Sequence, residues 1–331
     1  MKVLFLGGTG NISAACVARC LELGHEVTVL TRGRRDVPDR VAAVVGERDD
    51  PAALRGLAKS TRFDCVVDFL AYRPAQVEAA IEAFAGRTGQ YVFISSASAY
   101  AKPVAHYLIT EETPLANPFW EYARQKIACE QRLRAETGLA VTIVRPSYTY
   151  GPSWIPSGFG GQDYTVVDRL RRGLPIVVHG DGSALWVMTA ASDFAAGLCG
   201  LLGLESAVGE AFHITSDEVL DWNAIYGAIA HAAGVEAQLV HVPTDVIAAL
   251  DPDGAGSLRG DKAWSVVFDN SKIRRFVPGY RARVTFAEGM ARSVGWYDAD
   301  ASRRTVSAAA NERIDRVIAV QRKALDGARE G

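Results

Sequence analysis

The chain has little of what several functional classes require. Its five cysteines (Cys16, Cys20, Cys65, Cys129, Cys199) form no Cys-x-x-Cys pair and have no histidine cluster beside them, which argues against a zinc site and against a disulfide framework. Cys16 and Cys20 share one face of a predicted helix and read as small core residues. The odd total fits a reducing cytoplasm. His106, His179, His213, His231 and His241 keep no metal-ligand spacing, so no metal is expected. Neither sign of charge is in excess, with 36 Lys and Arg against 38 Asp and Glu. A protein that binds nucleic acid by neutralising phosphates carries a basic surplus, so that partner is disfavoured. Long apolar runs are missing too. Residues 194–204 are too few to span a bilayer, which needs about 20, and residues 3–6 run into a glycine turn as a core strand does, not as a leader. The expectation is a soluble, cytoplasmic protein without membrane association.

What is present is a globular composition, 49% hydrophobic and 22% charged over 331 residues, enough for a large α/β domain with an appended lobe. Short apolar runs predict strands at 2–6, closed by glycines, at 26–30, 41–45 and 64–69, at 91–95, ending on the serines, and at 141–145. Helical spacing predicts helices over 12–23, 52–59, 74–85 and 121–137. This alternation implies right-handed crossovers and a doubly wound parallel (Rossmann) sheet, with ligands beyond the carboxyl ends of the strands. Further on, the pattern predicts helices at 166–172, 193–204 and 222–233, a short strand at 175–179, a returning sheet strand near 211–215, a mobile-looking loop over 251–261, and a charged amphipathic helix over 303–325. The division expected is a dinucleotide-binding domain at 1–150, mainly a substrate-binding lobe at 151–300, smaller and discontinuous, and a C-terminal helix at 301–331.

Four motifs carry the reading, and two of them, Gly7–Gly10 and Ser95–Ser98, fall at strand carboxyl ends on the predicted rim. Gly7-Gly8-Thr9-Gly10, followed by Asn11 and Ile12, is a glycine turn between strand and helix. Gly7 permits the tight turn, and Gly10 lets backbone approach a pyrophosphate on the helix N-terminus. Ser13 takes the third glycine position, where a small side chain keeps helix and strand close. The second strand runs into Thr31-Arg32-Gly33-Arg34-Arg35. Arg32, with Arg34 or Arg35 behind it, suits a 2′-phosphate and favours NADP(H) over NAD(H), the alternative being a solvated basic loop.

The remaining motifs carry chemistry. Tyr122 and Lys126 are four residues apart on one helix face, downstream of Ser95-Ser96-Ala97-Ser98. An ammonium at about 4 Å in a partly buried site is worth on the order of 4 kcal/mol, enough to lower a phenol by roughly three pKa units. Tyr122 would then exchange a proton with a substrate hydroxyl as hydride leaves or arrives, with Ser96 holding the same oxygen.

With these motifs the chain resembles the extended short-chain dehydrogenases/reductases, the NAD-dependent epimerase/dehydratase family. The resemblance covers most of residues 1–297 and adds Val-Arg-Pro-Ser-Tyr-Thr-Tyr-Gly-Pro, the Gly180-Asp181-Gly182 turn and Asp269-Asn270-Ser271-Lys272. It implies Ser96, Tyr122 and Lys126 as the catalytic set, with Lys126 also on the nicotinamide ribose. Pro146 and Ser147 would border the nicotinamide, Glu47 the adenine, and Leu70 and Ala71 the rest of the cofactor. Ser98 and Tyr100 would face substrate. Two departures narrow this. Ala97 and Ser98 replace the Asp-Glu of 4,6-dehydratases. Trp186 stands where nucleotide-sugar enzymes place a diphosphate-clamping Arg, a role left to Arg169, Arg171 or Arg172 if it is filled at all. The expectation is an NAD(P)-dependent oxidoreductase acting at a secondary alcohol or ketone of a sugar-like substrate. A nucleotide-sugar epimerase with retained NAD and a non-catalytic RNA-binding protein on the same fold are the rival readings. A homodimer follows from the resemblance alone.

Overall fold

The computed structural model describes residues 1–330. Seven parallel strands form one sheet in the order Ala211–His213, Val141–Arg145, Gln90–Ile94, Cys65–Asp68, Lys2–Leu6, Glu26–Thr31, Val41–Val45. The chain starts in the interior of this sheet, builds outward through Glu26–Thr31 and Val41–Val45, then crosses back to build the other half. Leu6 is therefore in register with Leu30 on one side and Asp68 on the other. The switch of direction opens a crevice beyond the carboxyl ends of these strands, where open α/β sheets bind ligands.

Burial on both faces explains the near-continuous apolar strands. Val3, Phe5, Val29 and Val67 pack on one face against the helix Asn11–Glu22 and the helix Ala191–Leu201. Leu4, Leu6, Val66 and Phe93 pack on the other, against Pro51–Ser60, Pro74–Phe84 and Glu121–Arg134. The expected returning strand is present, shorter than read: Ala211–His213 pairs in parallel with Val141–Arg145.

Most of the rest of the chain assembles around two further apolar clusters, one that includes Tyr150, Trp186, Trp222, Tyr226 and Phe286 and one that includes Phe159, Val177, Val242 and Ile314. It contains a three-stranded sheet (Val219–Asp221, Leu185–Ala190, Tyr148–Tyr150) and two two-stranded ones, Leu239–Val242 with Ile176–His179 and Val267–Phe268 with Leu108–Ile109. Two expectations fail here. Residues 251–261 are not a loop: Pro252–Ser257 is a helix, and Leu258–Lys262 continues it as a wider turn with Leu258 buried. The glycines read as mobility serve close packing instead, since a Cβ on Gly256 or Gly260 would meet Trp120 at 2.8 or 2.7 Å. The last helix spans Ala308–Glu330 and begins later than read. Arg303 and Arg304 bond the carbonyls ending the helix Phe286–Asp298, so the chain turns there before helix resumes.

Candidate active site

A cleft of about 1140 Å³ lies along the switch point. Gly7, Thr9, Gly10, Asn11, Ile12, Arg32, Glu47, Leu70, Tyr122, Lys126 and Pro146 all line it. Ala71 is buried just behind this wall and takes part through its backbone, while Ser147 lies outside the lining.

The glycine loop is shaped for a ligand. Gly7 has φ +85°, the left-handed region that glycine alone occupies at no cost. Gly10 caps the helix Asn11–Glu22 with no side chain to accept from the first turn, and that turn holds no acidic residue. A Cβ on Gly10 would meet only Ser13 Oγ, at 3.2 Å, so backbone faces the cleft uncovered. Ser13 does more than stay small, since its Oγ accepts from the Gly10 amide at 2.9 Å. Free amides at a helix N-terminus without a competing carboxylate fit a pyrophosphate. Arg32, Arg34 and Arg35 stand at the far end, and Arg35 donates to Thr9 O at 2.7 Å. A dinucleotide therefore fits the residues present.

The helix Glu121–Arg134 is locked at its inner face. Glu130, fully buried, accepts a two-pronged contact from Arg145 at 2.9 and 2.6 Å and a third bond from Ser95 at 2.5 Å. One carboxylate thus fixes the helix to the ends of two strands. Lys126, also buried, donates to Ala71 O and Ile94 O, each at 2.8 Å. Burial pushes its ammonium down to about 8, against the opposing pull of Asp68. The Lys126 ammonium is 5.8 Å from the centre of the Tyr122 ring. The expected lowering of Tyr122 is not what this geometry gives. Burial first, then the Tyr72 phenol, push Tyr122 well up, and the Ser96 hydroxyl pulls it back only in part. Ser96 Oγ and Ser98 Oγ are 2.8 Å apart.

Several further residues join the wall that sequence reasoning passed over. Arg48 is buried and donates to Asp68 at 2.6 Å and to Gln76 O at 2.8 Å. Asp68 in turn accepts from the amides of Leu70 and Ala71 at 2.9 and 3.0 Å. Tyr72, Arg73, Gln76 and Trp154 line the cleft as well. The position of Asp68 at a strand's carboxyl end was the available signal, while nothing in sequence pairs it with Arg48.

The residues assigned to substrate fare differently. Tyr100 is fully buried, its hydroxyl 3.0 Å from His213 Nδ1 and its ring under Arg145 at 4.9 Å. It is a core residue. Trp186 is also core, with Nε1 donating to Trp264 O at 2.9 Å and Lys262 O at 3.2 Å. Ser98 is buried beside Ser96 and is not an open contact, and neither serine belongs to the lining of the cleft, which Ser95 reaches instead. The arginines considered as a diphosphate clamp are occupied: Arg169 by Asp315 and Asn311, Arg171 by Asp298, Arg172 by Asp168. No cluster of metal-ligating side chains occurs among the described residues. No helix among them is long and apolar enough to cross a membrane.

Comparison with known proteins follows the same lines. The sequence profile of the NAD dependent epimerase/dehydratase family matches residues 3–214. A 2′-dehydrokanamycin reductase of Streptomyces kanamyceticus is 32% identical over 289 residues, which is 86% of this chain and 81% of that protein. The chloroplast stem-loop binding protein of 41 kDa b of Arabidopsis thaliana is 27% identical over 72% of this chain and 65% of its own length. Among solved structures, the dTDP-glucose 4,6-dehydratase DesIV of Streptomyces venezuelae, with NAD and TYD bound, superposes with a TM-score of 0.73 over 91% of this chain and 98% of that chain, at 24% identity.

Proposed function

The chain belongs to the NAD dependent epimerase/dehydratase family, and within it we propose an NADP(H)-preferring reductase that delivers hydride to a ketone of a sugar-like substrate. The observation that carries this reading is the single cleft shared by the Gly7–Ile12 loop, Arg32 and the Tyr122/Lys126 pair. A bound nicotinamide dinucleotide supplies the hydride. The chain's own residues do the rest. Tyr122, kept a neutral phenol by burial, is a proton donor at neutral pH and gives its proton to the carbonyl oxygen as that oxygen gains charge. Ser96 donates to the same oxygen and fixes its position. Lys126, anchored on Ala71 O and Ile94 O, keeps the helix and the cofactor wall in register and offers its remaining proton to the ribose.

Arg32 supports NADP(H), because no Asp or Glu ends the second strand and three arginines line that end of the cleft. Ala97 and Ser98 leave out the acid and base a dehydration needs, and the occupied Arg169, Arg171 and Arg172 support a substrate without a nucleotide diphosphate. The segments outside the seven-stranded sheet are read as the substrate lobe. Identifying any dinucleotide released on denaturation, then titrating emptied protein with NADPH and NADH, tests the reading. Tighter NADPH binding to protein purified empty is expected. Near-stoichiometric retained NAD would replace the reductase with an epimerase cycle, and RNA binding with a steep salt dependence and no dinucleotide affinity would replace both.

A further inference from the structure

The buried ion pair behind the cleft wall has no part in the chemistry described so far. Asp68 ends the strand Cys65–Asp68 and is fully buried. Its Oδ1 accepts from the amides of Leu70 and Ala71 at 2.9 and 3.0 Å, and its Oδ2 from Arg48 Nη2 at 2.6 Å and the Tyr91 hydroxyl at 2.7 Å. Both oxygens are thereby saturated. Arg48 holds the other end of the same turn. Its Nη2 also donates to Gln76 O at 2.8 Å, and the Gln76 side chain accepts from the amides of Tyr72 and Arg73 at 2.7 and 3.0 Å. One guanidinium therefore pins residues 68–76 at their start and at their finish.

Three parts of the site depend on that turn. Leu70 lies against the glycine loop, where a Cβ on Gly7 would meet its side chain at 3.0 Å. Ala71 O receives the Lys126 ammonium at 2.8 Å. The Tyr72 ring lies under the same ammonium, 4.6 Å from its centre, and 6.2 Å from the Tyr122 ring.

Stability does not account for the pair. Arg48 is 5% exposed, and its Nε and Nη1 have no hydrogen-bond partner among the described residues. A buried ion pair with donors left over offsets little of the cost of taking both charges out of water, and apolar residues of similar volume often serve as well. What apolar residues cannot supply is a fixed direction for two amides and a carbonyl. Arg48 does not turn outward either, since those two nitrogens are enclosed even though the residue lines the cleft.

We propose that Arg48 and Asp68 are positioning residues for the nicotinamide half of the cofactor. By fixing the turn from Leu70 to Tyr72 they fix the Ala71 carbonyl, and through it the Lys126 ammonium that meets the ribose. This rests on the dinucleotide reading of the cleft and on the role given there to Lys126.

The test is a calorimetric titration with NADPH and with adenosine 2′,5′-bisphosphate, which keeps the adenosine half and lacks the nicotinamide. Arg48→Met combined with Asp68→Asn removes both charges together, so that neither is left buried alone. The expected result is a Tm within about 5 °C of wild type, NADPH affinity lowered by at least about tenfold, and bisphosphate affinity within about twofold. Arg48→Lys alone, which keeps a cation for Asp68, should retain most of the NADPH affinity. Equal losses for the two ligands would place Arg48 on the adenosine itself, and unchanged NADPH affinity would reduce the pair to packing; either result overturns the inference. If the double variant does not fold, Tyr91→Phe decides, because it deletes one bond to Asp68 from outside the cleft lining. NADPH should then weaken by at least about threefold with the bisphosphate unchanged, and no change in NADPH overturns the inference in the same way. Should the wild type take NADH in place of NADPH, NADH and AMP serve as the pair of ligands, so the cofactor preference can fail while the inference stands. Binding of neither dinucleotide removes both.

Discussion

Lys126 and Tyr122 stand one helical turn apart, yet the Lys126 ammonium points to the carbonyls of Ala71 and Ile94 and stays 5.8 Å from the centre of the Tyr122 ring. Their spacing in sequence suggests a cation that ionises a phenol. The fold instead gives a cation held by backbone and a phenol kept neutral. A neutral phenol suits reduction, where the substrate oxygen needs a proton, more directly than oxidation, where it must give one up.

That arrangement makes stability depend on pH in a definite direction. The folded-state value of Lys126 is about 8, below its unfolded value. Below pH ~8 the lysine is charged in both states and the folded state bears the full cost of burying it. The cost is relieved as pH rises between about 8 and 10.5, because the unfolded chain then binds more protons than the folded one. Urea denaturation of the wild type and Lys126→Met across this window is expected to show a wild-type gain on the order of 3 kcal/mol that the variant lacks. Parallel curves would mean that the ammonium is better solvated than its burial suggests.

Gly10→Ala separates folding from ligand binding. The added methyl has space, with Ser13 Oγ its one close neighbour at 3.2 Å, and Gly10 has an ordinary negative φ of −83°. Stability should fall by no more than about 1 kcal/mol. Dinucleotide affinity should drop by at least about tenfold, because the methyl occupies the surface the pyrophosphate needs. Thermal denaturation with and without added NADPH reads both quantities.

How much of this was legible in sequence divides along the sheet. The interior strands Lys2–Leu6, Cys65–Asp68, Gln90–Ile94 and Val141–Arg145 were readable because burial on both faces makes them short apolar runs, and the exposed edge strand Val41–Val45 was readable from its valines and alanines. Trp222–Ala233 was readable to the residue, bounded by the Asp221 cap and by Gly234 in the left-handed region. Tyr148–Tyr150 and Leu185–Ala190 pair across nearly forty intervening residues and join a third strand, Val219–Asp221, and no local period announces such pairing. The glycine turn after the first strand was legible because Gly7 takes a positive φ that other residues avoid. Tyr100 and Trp186 were misread because the direction an aromatic side chain takes is set by packing, and Arg48–Asp68 went unseen because a buried ion pair between distant segments leaves no spacing signal.

Arg32→Ala addresses cofactor choice. Arg32 lines the cleft beyond the second strand, which ends in Thr31 and not in an acidic residue. The expected result is an NADPH dissociation constant raised by about tenfold to a hundredfold, with NADH changed by less than about threefold. Fluorescence titration with both dinucleotides checks it, and equal losses for the two would assign Arg32 to the solvated basic loop.

The most direct measurement is turnover of a methyl ketoglucoside by Tyr122→Phe against the wild type, with NADPH affinity determined on the same preparations. The phenylalanine keeps the ring packed against Trp120 and Tyr72 and removes only the proton donor. A fall in kcat of about a hundredfold to ten-thousandfold with NADPH affinity unchanged is what the account predicts. A variant that turns over within about threefold of the wild type would contradict it, and would mean that the proton comes from another group.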